Sequence, residues 1–158
     1  MLLDRPFHHL ARGIIIKNNT ILVAHAIGHR NTFLPGGHIE FGESAKDALI
    51  REINEELGMD CKVGTFVGVI EHKWMKQGVV NYEVNQVFEV QCDDLLNIEI
   101  PISKESHIEF LWQHVEELEE HNLQPYPLTK IIHRYLNGME KLYWASTLNE
   151  DIDEYNKE

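Results

Sequence analysis

Three glutamates, Glu52, Glu55 and Glu56, stand three and four residues apart in this chain. On a helix, residues so spaced share one face, and like charges there repel by roughly 0.2–0.5 kcal/mol per pair even in water. Clustered carboxylates are what a hard divalent cation such as Mg²⁺ or Mn²⁺ requires of its ligands. A cation held there could orient a water and stabilise negative charge that develops in a transition state. On this reading Glu52 and Glu56 are metal ligands, and Glu55 is a ligand or positions the water. The competing reading is a solvated acidic face, the common fate of paired glutamates on helices.

The helix that carries them decides between the two. Residues 34–59, LPGGHIEFGESAKDALIREINEELGM, read as a short strand, a Pro-Gly-Gly turn, a glycine-broken loop and one helix. Ser44 is the expected N-cap, with Asp47 as its capping-box partner, and Gly58 the residue that stops the helix. At about 100° per residue, Ala45, Ala48, Leu49, Ile53 and Leu57 form an apolar arc for the core. Asp47, Arg51 and Asn54 fall on the wet side. Glu52 and Glu56 project into the apolar arc and Glu55 sits at its edge, where a charge must be paired or hold a metal. The small Ala45 and Ala48 leave room for one.

Gly37, Glu43 and the run Arg51-Glu52-Ile53-Asn54-Glu55-Glu56-Leu57-Gly58-Met59 fit the pattern G-x5-E-x7-R-E-U-x-E-E-x-G-U, where U is a bulky aliphatic residue. The chain therefore resembles the Nudix (MutT-type) hydrolases. The box covers residues 37–59, and the order of elements extends the likeness to about Leu136. The resemblance implies an α/β/α sandwich around a central mixed β-sheet, the class that strand-rich segments with one helix early and one late also suggest. It implies Mg²⁺- or Mn²⁺-dependent cleavage of a nucleoside diphosphate linked to another moiety. It adds the Gly36 carbonyl to the metal ligands and makes Glu43 and Arg51, which brace each other, supports of the site together with the loop at Gly37. Nudix enzymes often draw a further carboxylate from later in the chain; Glu105, in a loop, is preferred to Glu109. The general base differs among them, and Glu52, Glu55 and Glu105 all stay open. The proline that marks the ADP-ribose type is replaced by Trp74-Met75, the tyrosine of the diadenosine polyphosphate type by Lys76-Gln77-Gly78, and the SQPWPFPQS run of the NADH type is absent. A nucleoside triphosphate, a nucleotide sugar or a similar nucleotide remains as substrate. A non-catalytic nucleotide sensor of the same family is the alternative, set against by the intact box.

The remaining elements must frame this helix. Residues 7–16 and 20–26 read as a hairpin joined at Asn18-Asn19. Arg12, with His8 or His9, could reach a substrate cleft from it; Arg30 is a possible phosphate-facing cation in the loop of residues 28–31. Residues 62–72 and 80–92 read as a second hairpin around a turn at residues 73–78. Along 80–92, Tyr82, Val84, Gln86 and Phe88 share one side, and the mostly polar Asn81, Glu83, Asn85, Val87 and Glu89 the other. Trp74 and Tyr82 could stack on a nucleobase. Residues 93–106 read as a loop, 107–112 as a strand, 115–120 as a short helix and 128–136 as a helix entered through Pro125 and Pro127. Residues 1–137 form the expected hydrolase domain. Residues 138–158 form an extension of it, a helix near 139–148 with a docking or homodimer stripe, then a solvated acidic tail.

A chain of 158 residues suits one domain. There is no apolar run long enough to span a membrane and no basic-apolar leader. Cys61 and Cys92 are too few and too scattered for a disulfide scaffold, so reduced thiols and a cytoplasmic location are expected. The net charge of −12 argues against broad nucleic-acid binding, which needs many basic contacts, and disfavours capped or 5′-triphosphate RNA. A small nucleotide is still admitted, because a metal inverts the local charge.

Overall fold

The computed structural model describes residues 5–152. In chain order these form β1 (Phe7–Ile14), β2 (Ile16–Lys17), β3 (Thr20–Ala26), β4 (Thr32–Phe33), β5 (Gly36–His38), α1 (Ala45–Leu57), β6 (Lys62–Lys76), β7 (Val79–Gln91), β8 (Ile108–His114), α2 (Pro127–Leu136) and β9 (Tyr143–Ser146). One mixed sheet has the strand order β5-β1-β7-β6-β9; in the other, β3 lies between β8 and the short strands β2 and β4. β1 runs parallel to β7 and antiparallel to β5.

Each face of this framework carries a helix. On one side Leu49, Ile53 and Leu57 of α1 pack with Ala11, Ile15, Leu22, Ala24, Phe88, Val90 and Phe110. On the other, Leu128, Ile131 and Ile132 of α2 pack with Ile14, Val23, Leu34, Ile70 and Val87. The result is an α/β/α sandwich. Strand alternation explains the division: Ile14 and Ile15 are adjacent, both buried, and belong to opposite cores.

Four readings of the sequence are corrected. Residues 7–16 are two strands in different sheets, with the Ile15 carbonyl turned to accept a hydrogen bond from Leu22 N–H. The second hairpin is tighter than expected: β6 continues to Lys76, and only Gln77 and Gly78 turn, at φ of 48° and 79°. Two consecutive residues with positive φ suit the two-residue turn whose twist matches the strands. Residues 115–120 yield a single 3₁₀ turn at Val115–Glu117. The helix expected over 139–148 is the strand β9, laid parallel on β6 with Tyr143 opposite Gly68. A Cβ on Gly68 would collide with the Tyr143 carbonyl oxygen, so the close pairing needs a glycine there; aromatic Tyr143 and Trp144 suit a strand. Most of the acidic tail, from residue 153 on, lies outside the described residues.

Candidate active site

α1 forms as its caps dictate. Ser44 Oγ accepts from Asp47 N–H at 3.1 Å, and Gly58, at φ 68°, closes the C-terminus through its N–H to the Asn54 carbonyl. The buried face is Ala48, Leu49, Ile53, Glu56 and Leu57. Glu56 is thus the one charged member of a core stripe, 4% exposed.

The turn before the helix lies against these carboxylates. Gly36, at φ 136°, has no space for a Cβ, which would meet the Ala11 carbonyl. A Cβ on Gly37 would lie 2.5 Å from Cδ of Glu52. The Gly36 N–H donates to the Glu56 carboxylate, while Glu56 Oε2 is buried without any hydrogen-bond partner.

Arg51 ties loop and helix together. It grips Glu43 with two bonds, Nε to Oε2 at 2.8 Å and Nη2 to Oε1 at 2.9 Å. Nη1 donates to Glu52 at 3.0 Å and to Glu55 at 3.3 Å, and Nη2 to the His38 carbonyl at 3.0 Å. This fork holds the Glu43 carboxyl down to about 2.

Electrostatics set Glu56 apart. Burial, with Glu52 and Glu105 adding to it against Arg12 and the Gly36 amide, pushes its pKa up to about 8. Glu52 is raised as well, by burial first, with Arg51 opposing. Arg12 is half-buried, donates to the Leu34 carbonyl at 3.1 Å and lies 5.4 Å from the Phe33 ring. Burial lowers its pKa, and Glu83, Glu56 and Glu52 oppose the fall.

Glu105 sits in a loop clasped to the end of α1 by Lys104 N–H donating to the Glu56 carbonyl at 2.7 Å. It is close enough to act on the Glu56 carboxyl. Glu109 instead bonds His25 at 2.8 Å. Glu52, Glu55, Glu56, Glu105, Gly36, Gly37, Glu43, Arg51 and Arg12 therefore occupy one neighbourhood. Arg30 does not join it: it is exposed in the loop after β3 and makes no ion pair with a carboxylate among the described residues. Trp74 and Tyr82 point to opposite faces of the sheet. Trp74 lies opposite Asn81 and donates to Glu83 at 3.0 Å, whereas Tyr82 is 49% exposed on the far face.

The polar side of β7 is the inward one. Asn81 is 6% and Asn85 0% exposed. Asn85 Nδ2 donates to Glu83 at 3.0 Å, and Asn81 Oδ1 lies 2.9 Å from His8 Nε2. The sequence alone assigns no role to Asn81, Glu83 or Asn85. The available signal was a long strand with a polar stripe and a polar-to-apolar change at Val87.

Whether the site suits a divalent cation rests on its donors. As they stand, no three Asp, Glu, His or Cys side chains among the described residues enclose an ion by themselves, Arg51 holding Glu52 and Glu55. The donor set is nonetheless all oxygen, and the orphaned Glu56 Oε2 is a buried carboxyl oxygen with no partner to offset its burial.

A family model described as the NUDIX domain matches residues 7–135. An RNA pyrophosphohydrolase from Ruthia magnifica is 30% identical over 93 residues, 58% of this chain and 51% of that protein. An 8-oxo-dGTP diphosphatase from Proteus vulgaris is 33% identical over 76 residues, 45% of this chain and 68% of that protein. The chain thus spans about half the length of the one and two thirds of the other. Among solved structures, a MutT protein from Bacillus halodurans superposes with a TM-score of 0.64 over 88% of both chains, at 17% identity. At that identity the likeness is one of fold. No helix among the described residues is long and apolar enough to cross a membrane.

Proposed function

The chain belongs to the Nudix family, and we propose that it is a Mg²⁺- or Mn²⁺-dependent pyrophosphohydrolase cleaving a nucleoside triphosphate, a nucleotide sugar or a similar nucleoside diphosphate linked to another moiety. The observation that carries this reading is Glu56: a buried carboxylate on a core-facing helix stripe, one oxygen unpartnered, beside Glu52 and the Gly36 amide. Structural economy alone would place an aliphatic residue there.

Glu52, Glu56 and Glu55, with the Gly36 carbonyl, would hold the cation, which supplies charge neutralisation at the phosphate oxygens and activates water. The chain's own groups do the rest. Arg51 fixes Glu52, Glu55 and the turn carbonyl at His38 in one bonded frame. Arg12 brings a positive charge beside the carboxylates, where an anionic substrate must approach. Glu52, Glu55 and Glu105 are the candidates to accept a proton from the attacking water. The two named relatives act on different molecules, RNA and 8-oxo-dGTP. With a net charge of −12, this chain favours a small nucleotide over an RNA strand, whose binding depends on many cationic contacts.

The test is product release across canonical and oxidised nucleoside triphosphates, nucleotide sugars, ADP-ribose and dinucleoside polyphosphates, with either cation and with chelator. Metal-dependent release of a nucleoside monophosphate from one class is expected. Nucleotide binding with no turnover anywhere on the panel would favour a sensor instead.

A further inference from the structure

A cavity of about 380 Å³ lies between the start of β6, the end of α2 and β9. Val67 and Ile131 in its wall belong to the core under α2, on the face opposite α1 and its carboxylates. The chain opens it in two ways. β6 shifts register on either side of Phe66, and β9 pairs with β6 from Gly68 onward, so residues 65–67 have no described strand on that side. The segment from α2 to β9 is closed tightly at its start: Gly138, at φ 74°, donates its N–H to the Tyr135 carbonyl, and Met139 N–H donates to the Arg134 carbonyl, both at 3.1 Å. This fixes the backbone of Arg134 at the cavity. A volume of this size stands at the small end of ligand pockets and suits a molecule of about one ring.

Arg134 lines this cavity with its charge placed and its hydrogen bonds unused. Its Cζ lies 5.0 Å from the centroid of the Tyr143 ring, and Lys130 Nζ lies 5.9 Å from the same centroid. A ring face attracts a cation but offers no lone pair in the plane of the guanidinium. Arg134 Nε is buried without an acceptor, and the side chain makes no ion pair with a carboxylate among the described residues. Glu140 is the one acid in the lining, and Lys141 beside it balances its charge. Glu89 is engaged by the Tyr135 hydroxyl. Residues 130–141 thus carry Lys130, Arg134 and Lys141 against Glu140 alone, in a chain whose net charge is −12.

We propose that this cavity is a binding site, separate from the catalytic one, for a small organic oxyanion: a carboxylate or phosphate monoester on an apolar body of about one ring. The planar fork of Arg134 takes the oxyanion through paired N–H bonds. Phe66, Val67 and Ile131 line the place of the apolar body, and the exposed Met139 and Leu142 are covered by it. The described chain supplies no acid of its own to Arg134. β9 runs away from the cavity along β6, and Thr147 N–H is tied to the Glu71 carbonyl at 3.0 Å.

The experiment is an NMR titration of the intact ¹⁵N-labelled protein with benzoate, phenyl phosphate and benzyl alcohol, in the presence of chelator. The chelator keeps metal, and phosphate drawn by metal, away from the α1 carboxylates. The amides of Gly68, Gly138 and Tyr143 should shift, and at least one anion should bind about ten-fold or more tighter than the neutral alcohol, the worth of a bond to a charged group. The tighter anion tells carboxylate from phosphate. Arg134→Met should bring the anions down to the affinity of the alcohol. Arg134→Lys, which keeps the charge without the fork, should fall between, and it decides the question if Arg134→Met does not fold. Both variants should leave nucleotide turnover within about two-fold of wild type. No shift with any probe, equal affinity for anion and alcohol, shifts confined to α1, or anion binding unchanged in Arg134→Met would overturn the proposal. Wild-type protein that cleaves no nucleotide would sink the functional reading instead, while the titration would still decide this site.

Discussion

The carboxylate of Glu52 rests on the bare Cα of Gly37: a Cβ there would stand 2.5 Å from Cδ and 2.6 Å from Oε2 of Glu52. The glycine is thus required by a neighbour's position rather than by its own backbone angle. Gly37→Ala should push Glu52 out of place while leaving the fold intact. Activity should fall about 100-fold, as expected when a catalytic group is displaced by roughly 1 Å. Parallel measurement of kcat/KM and thermal melting checks this; an alanine variant with normal turnover would mean that Glu52 need not sit where it does.

Glu56 predicts a pH dependence of stability in the metal-free protein. Its folded pKa of about 8 lies above its unfolded value near 4.5, so between these the folded state binds the extra proton. Stability therefore falls as pH rises from 4.5 through 8, and the penalty is absent below that window and complete above it. The full effect is on the order of a few kcal/mol. Glu56→Gln should flatten this slope and melt higher than wild type at pH 8.5 without metal. Denaturant titrations at several pH values with chelator present measure it, and parallel slopes for both proteins would refute the assignment.

Arg51 makes bonds that a lysine cannot reproduce together, because only a planar fork reaches Glu43 twice while touching Glu52, Glu55 and the His38 carbonyl. Arg51→Lys keeps the charge and should still lower kcat about 10- to 100-fold, the range seen when groups that orient metal ligands are removed. Steady-state kinetics with the metal concentration varied would show it. Unchanged kcat and metal dependence would reduce Arg51 to a surface ion pair.

The two distal carboxylates separate cleanly. Glu105 acts on Glu56, whereas Glu109 is engaged by His25, which also bonds the His29 carbonyl at 2.7 Å. Glu105→Gln should slow turnover about 100-fold if it takes the proton from water, and Glu109→Gln should stay within about two-fold. A reversed order would move the role to Glu109.

Much of the site was legible because the box residues act locally. Ser44, Gly58 and the helical phase of Glu56 follow from spacing alone, and the helix occurs where they put it. β9 was missed because its strand depends on Gly68, some seventy-five residues earlier in the chain, opening a place beside β6. The tight turn at Gln77-Gly78 was hidden by Lys73, Lys76 and Gln77, whose polarity mimics a longer loop. The inward position of the polar stripe of β7 is hidden from the sequence for a related reason. Alternation tells which residues share a face, but which face is buried depends on β1 and β6 beside it, and on His8 and Trp74 supplying the polar partners.

Binding of Mn²⁺ to wild type and Glu56→Gln, followed by electron paramagnetic resonance on the same samples used for turnover, tests the central role of Glu56 most directly. Wild type should bind the ion more tightly as pH rises from 6 to 8, because the metal displaces the Glu56 proton. Glu56→Gln should bind at least about ten-fold more weakly, the loss expected for a metal-site group, and turn over nucleotide slower by orders of magnitude with its fold retained. Wild-type affinity and turnover in Glu56→Gln would contradict the assignment of this buried carboxylate as a metal ligand.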